Sequence, residues 1–164
     1  MCIYTLDGER DDMSTKCHRQ KPSACMCVNV RRASRAVTRI YDQALEPSGL
    51  KVTQFSLLKN IEAHGPLNIS TLAKVLMLDR TTLVRNLKPL ENAGFIENSP
   101  SADPRERQVG ITGQGRVVVK AALPRWQEVQ RQMAGHIGAE NMQLLAQLAS
   151  ALEDLAGGHE TFPE

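Results

Sequence analysis

Residues 79–94 read DRTTLVRNLKPLENAG, and this stretch decides the fold. Asp is a residue type whose carboxylate caps a helix start, and Gly is the usual residue just past a helix end. Asp79 and Gly94 therefore predict a helix running to about Ala93. At about 100° per residue, Leu83, Val84, Leu87 and Leu90 share one side. Thr81, Thr82, Arg85, Asn86 and Lys88 share the other, with Arg80 at the start. The apolar side is expected to pack on a core. The other side offers hydroxyls, an amide and cations, and it carries no acid. Such groups match base edges and phosphates in a major groove: Arg to guanine, Asn to adenine, Thr to phosphate or a thymine methyl.

The flanking sequence supplies the elements that would hold this helix. Upstream, Ser70 is a candidate cap for a short helix carrying Leu72, Ala73 and Leu76, followed by a tight turn at Met77-Leu78-Asp79. Before it lies an extended piece, Leu67-Asn68-Ile69. Further back, a helix capped by Thr53 would bury Phe55, Leu58 and Ile61 and stop at Gly65-Pro66. Downstream, two β-like runs, Phe95 to Asn98 and Gln108 to Thr112, flank a polar loop with Arg105 and Arg107 at its tip. Arginines on such a loop can enter a minor groove, whose negative potential attracts them. Helix, short strand, helix, turn, helix and hairpin is the order of a winged helix-turn-helix. The fold class is therefore mainly α with a small β-hairpin wing.

Two outer regions complete the chain. Pro22-Ser23 reads as a helix start with Ser23 as cap, and Ala33, Ala36, Val37, Ile40, Tyr41 and Ala44 form one apolar stripe ending at Pro47-Ser48-Gly49. A long helix from about Gln114 is expected to kink at Pro124 and break at Gly135 and Gly138. A last helix carries Met142, Leu145, Leu148, Leu152 and Leu155. A lone winged helix needs none of these stripes, so they predict a homodimer presenting two reading heads to a pseudo-palindromic site. The expected division is a flexible N-terminal tail at 1–21, a helical dimerisation region at 22–50 and 113–156, and a DNA-binding domain at 51–112.

Bulk composition narrows the class. The 164 residues include 20 Lys and Arg against 18 Asp and Glu, so net charge alone does not announce a nucleic-acid partner. Its distribution does: Arg31 to Arg39 holds four arginines and no acid, and Arg105 to Arg131 holds six cations against two acids. No apolar run approaches a membrane span, and the N-terminus lacks a secretory core, so no membrane partner and a cytoplasmic location are expected. The sequence has none of the metalloprotease, serine-hydrolase or phosphate-loop motifs, and neither an enzyme nor a cofactor is expected.

The segments GLKVTQFSLLKNI, LNISTLAKVLMLDRTTLVRNLKPLENAGFIE and ADPRERQVGITGQGR resemble the MarR family of bacterial transcriptional regulators. The wing pattern is carried by Asp103-Pro104-Arg105, followed by a strand and Ile111-Thr112. The likeness spans about residues 26–155. It implies a dimer built from the first and the last two helices, recognition by the helix at about 80–93, and a wing at 95–112. A departure is Pro89, which removes a hydrogen bond to the Arg85 carbonyl and is expected to bend the helix.

Two routes of control are open. All four cysteines, Cys2, Cys17, Cys25 and Cys27, lie in the first 27 residues, so they do not staple the fold. Cys25 and Cys27 are placed in the first turn of the first helix, near Arg31 and Arg32, a setting in which thiols meet oxidants. A disulfide between them would require unwinding that turn. Their spacing, even with His18, matches no standard zinc pattern, and no metal is expected. Some members of the resembled family are redox sensors. Others bind a small aromatic or anionic effector between the dimer region and the DNA-binding lobe, where Tyr41, His64 and Trp126 are the candidate lining residues. The rival functional class is a winged-helix module that binds protein and no DNA. The leading expectation is a repressor tuned by Cys25 and Cys27.

Overall fold

The computed structural model describes residues 21–99 and 108–157. Six helices and a three-stranded antiparallel sheet follow one another among them. Helix α1 spans Met26–Leu45 and leads through a short 3-10 turn, Glu46–Ser48, to α2, Val52–His64. Strand β1 is Leu67–Asn68, α3 is Ile69–Val75 and α4 is Arg80–Asn92. The hairpin strands are β2, Ile96–Ser99, and β3, Gln108–Ile111; α5 is Gly113–Ile137 and α6 is Ala139–Gly157. The sheet order is β1-β3-β2, with Leu67 opposite Val109 and Ser99 opposite Gln108. The extended piece before α3 thus joins the hairpin, and β3 becomes the central strand.

Leu45, Leu58, Ile61, Leu72, Leu83, Leu90 and Val109 are fully buried and form one core under α2, α3, α4 and the sheet. Several helix starts differ from expectation. Lys51, not Thr53, precedes α2, and its N–H donates to the Gln54 side chain at 2.8 Å. Asn68, not Ser70, caps α3, its Oδ1 accepting from the Thr71 N–H at 2.7 Å. Asn and Ser cap about equally well, and once Asn68 takes that place Ser70 falls inside the helix. At α1 the cap position is Cys25, and the helix begins at Met26, three residues beyond Ser23. Helix α5 runs on through Pro124, where a kink is expected, and through Gly135, where a break is expected; Gly138, with φ of 90°, ends it.

A tight junction ties the helix-turn-helix to the wing and to α5. Thr112 caps α5 by accepting from the Gly115 N–H at 3.0 Å, while its hydroxyl donates to the Gly94 carbonyl at 2.7 Å. The Thr112 N–H donates to the Phe95 carbonyl at 3.0 Å. Gly115 sits against that same carbonyl, so closely that a Cβ there would clash with Phe95 backbone oxygen and with Ile111. Gly113, two residues earlier, faces open space. Gly115→Ala should therefore destabilise the fold by roughly 2 kcal/mol in urea titration, as overpacking does. Gly113→Ala should be neutral or slightly stabilising in the same measurement.

Candidate nucleic-acid interface

The start of α4 is set by a cap that the sequence announced. The Asp79 carboxylate accepts from the Thr82 N–H at 2.8 Å. Hydrogen bonds from the Thr82 hydroxyl and then the Thr82 backbone hold the Asp79 carboxyl below its ordinary value of 3.8. Thr82 is thus engaged in capping and half-buried, rather than presented outward with Thr81. The turn before it is closed by Met77, which takes a left-handed φ of 51°, and by the Leu78 N–H donating to the Ala73 carbonyl at 2.9 Å.

The rotation of α4 is fixed by Leu83, Leu87 and Leu90, which are at most 2% exposed. This leaves Arg80, Thr81, Arg85 and Lys88 exposed on the outer side, as expected. Two residues change sides. Val84 is 41% exposed, not in the core. Asn86 is half-buried and lines a groove with Val52, Thr53, Ser56, Leu57, Leu76 and Leu78. The cause is angular: Asn86 lies about 60° from Leu83 around the helix, whereas Val84 lies about 100° from it. Asn92 is exposed seven residues after Arg85, hence on the same outer face, and was missed. Counting turns from Arg85 would have found it. Among the described residues, Arg80, Arg85 and Lys88 have no acidic partner. Helix α4 passes through Pro89 without ending. Arg105 and Arg107 lie outside the described residues; the strands leading to them end at the paired Ser99 and Gln108.

The regulatory candidates fall in two places. Cys25 and Cys27 are free, exposed thiols, so neither is a buried apolar filler. Cys25 has extended backbone at φ −82°, ψ 117°, outside the helix, while Cys27 is its second residue. A brace precedes them: Asn29 Nδ2 donates to the Ser23 carbonyl at 2.7 Å, and the Ser23 N–H donates to Asn29 Oδ1 at 2.9 Å. Cys2, Cys17 and His18 lie outside the described residues. Among those described, no group of three or more His, Cys, Asp or Glu could hold a metal. Tyr41 and Trp126 meet in a cleft of about 550 Å³ between α1, α2 and α5, with Phe55 6.0 Å from the Trp126 ring and Lys59 at its edge. His64 is not there. It is exposed at the end of α2, its Nδ1 2.9 Å from the Asn60 carbonyl.

Comparison with known proteins converges on one family. Residues 50–106 match the MarR family model. The M. tuberculosis transcriptional regulator MosR, solved in complex with DNA, is 35% identical, with 80% of this chain covering 98% of that one at a TM-score of 0.71. The chain belongs to the MarR family. The S. aureus MepR–DNA complex is similar at 25% identity, 80% and 96% coverage and a TM-score of 0.67. An uncharacterized HTH-type transcriptional regulator of Bacillus subtilis, YwoH, is 28% identical over 83 residues, 51% of this chain and 61% of that protein. Within the MarR family this chain is a DNA-binding transcriptional regulator and not an enzyme. No helix among the described residues is long and apolar enough to cross a membrane.

The Asp79 cap carries a pH prediction. A carboxyl held below its ordinary value stabilises the fold only while ionised, so its contribution is present above about pH 3.8 and is lost as pH falls through the depressed value. Asp79→Ala should lower the melting temperature by a few degrees at neutral pH, and the gap to the native chain should close in acid. Asp79→Asn should keep most of the stability, because an amide oxygen can accept the same bond.

Proposed function

We propose that this MarR-family chain is a homodimeric repressor that binds pseudo-palindromic operators through α4 and the wing. The observation that carries the reading is the outer face of α4, where Arg80, Thr81, Arg85 and Lys88 stand exposed with no acidic partner among the described residues. Arg85 is assigned to guanine, Thr81 and Lys88 to base edge or phosphate, and Arg105 and Arg107 to the minor groove. Asn86 and Thr82 are assigned supporting places beside the face, given their partial burial. Repression follows because a dimer seated on an operator excludes other proteins from that duplex. That role implies a cytoplasmic location.

The dimer rests on apolar surface left uncovered within one chain. On α6, Leu144, Leu145, Leu148, Leu152 and Leu155 are 40–60% exposed, and on α1 Met26, Val28, Val30 and Ile40 are 41–63% exposed. A monomer rarely leaves two such stripes in water. Pairing them across a two-fold axis would cover both and fix the spacing of the two α4 helices.

Duplexes enriched from a random-sequence library by the native protein give the test. Their affinity should fall steeply with salt, as phosphate contacts release counterions. Lys88→Ala should flatten the slope of log K against log salt by about one, and Arg85→Ala should relax sequence preference by about 1–3 kcal/mol at one position. Unchanged binding in both variants would remove the role given to α4.

For control, the exposed pair Cys25 and Cys27 favours a redox switch. Peroxide would take two electrons and two protons from the thiols, forming one S–S bond and water. Because Cys25 already lies outside α1, only Met26 and Cys27 need leave the helix, against the Ser23–Asn29 brace. The Tyr41–Trp126 cleft favours a second reading, a small aromatic acid with its carboxylate toward Lys59. The two separate cleanly. Under the redox reading, peroxide weakens duplex binding in the native chain and not in Cys25→Ser. Under the second, benzoate weakens it in both and quenches the single tryptophan, Trp126.

A further inference from the structure

We propose that Val84 reads the 5-methyl group of thymine in the major groove, and so is a specificity-determining residue; this rests on the DNA-binding reading of α4. Val84 is 41% exposed, while its neighbour Leu83 is fully buried. A β-branched residue at an exposed helical position lowers helix stability relative to Ala or Lys and gains little from burial there. The residues three and four away on the helix surface are Arg80, Thr81, Leu87 and Lys88. Of these, Arg80, Thr81 and Lys88 are exposed, and Arg85 adjoins them. Val84 is therefore an apolar knob among cations.

That setting selects the occupant. A second copy pairing through this face would bring Arg80, Arg85 and Lys88 against the same cations. A protein pocket apolar enough to take Val84 would strip water from the charges around it. A major groove does neither. Its phosphates accept the cations, and its base edges offer an apolar group, the thymine methyl. Val84 also stands five residues past the Asp79 cap, in the N-terminal half of α4, the part of a recognition helix that meets base edges.

The test uses duplexes enriched from a random-sequence library by the native full chain. Each thymine is replaced singly by deoxyuridine, which keeps the pairing and removes only the methyl. At least one thymine per half-site should be sensitive, its replacement weakening native binding by about three- to ten-fold. Val84→Ala should bind the thymine duplex more weakly by a similar factor and should be nearly indifferent to the replacement. Val84→Ala places a better helix former at an exposed site, so loss of folding is not expected, and circular dichroism checks it. Enriched duplexes without a uracil-sensitive thymine, or equal sensitivity in both proteins, would overturn the role of Val84 and leave the DNA reading standing. Failure of the native chain to enrich any duplex would overturn both.

Discussion

Burial of Leu83, Leu87 and Leu90 is the constraint on which the rest of the molecule depends. These side chains lock the rotation of α4 about its axis, and the Asp79 cap sets where the helix begins. A helix with its start and rotation fixed has no remaining choice about which residues face out. Turning it by one residue would carry Val84 or Asn86 into the core and Arg85 toward it, at the cost of burying polar groups without partners. The outer face of α4, proposed above to meet DNA, is thus a by-product of core packing.

The second constraint is the junction of Gly94, Phe95, Thr112 and Gly115. Through it one hydroxyl and two carbonyls bind the end of α4, the root of the wing and the first turn of α5 into one unit. The close seat of Gly115 leaves little room for α5 to slide there. Two turns and more along the same helix, Leu123 and Trp126 face the cleft shared with α1 and α2. Helix α5 therefore has one end at the wing and its middle at the cleft. The cleft and the wing are thus joined by one helix.

The N-terminus of α1 contrasts with this well-packed centre. Its first turns carry exposed Met26, Val28 and Val30, and its start is held by the Ser23–Asn29 brace instead of a side-chain cap. A helix end with few buried contacts opens at low cost. Two exposed thiols stand at that end, next to the apolar surface proposed for the dimer.

What the sequence determined by itself was local and periodic. The order of elements, the Asp79 cap, the Gly94 stop and the outward place of Thr81, Arg85 and Lys88 follow from residue types at fixed spacing, because capping and helical period act within a few residues. Tertiary structure decided the rest. Val84 and Asn86 lie at the edges of the apolar stripe, where pattern alone cannot say which flank the core covers; α2 and the turn after α3 flank the Asn86 side. His64 and Trp126 looked alike as lining residues, yet only the packing of α5 across α1 and α2 puts Trp126 in the cleft. The pairing of β1 with β3 joins residues some forty positions apart. Such contacts depend on where the chain returns in space, and no window of sequence contains that information.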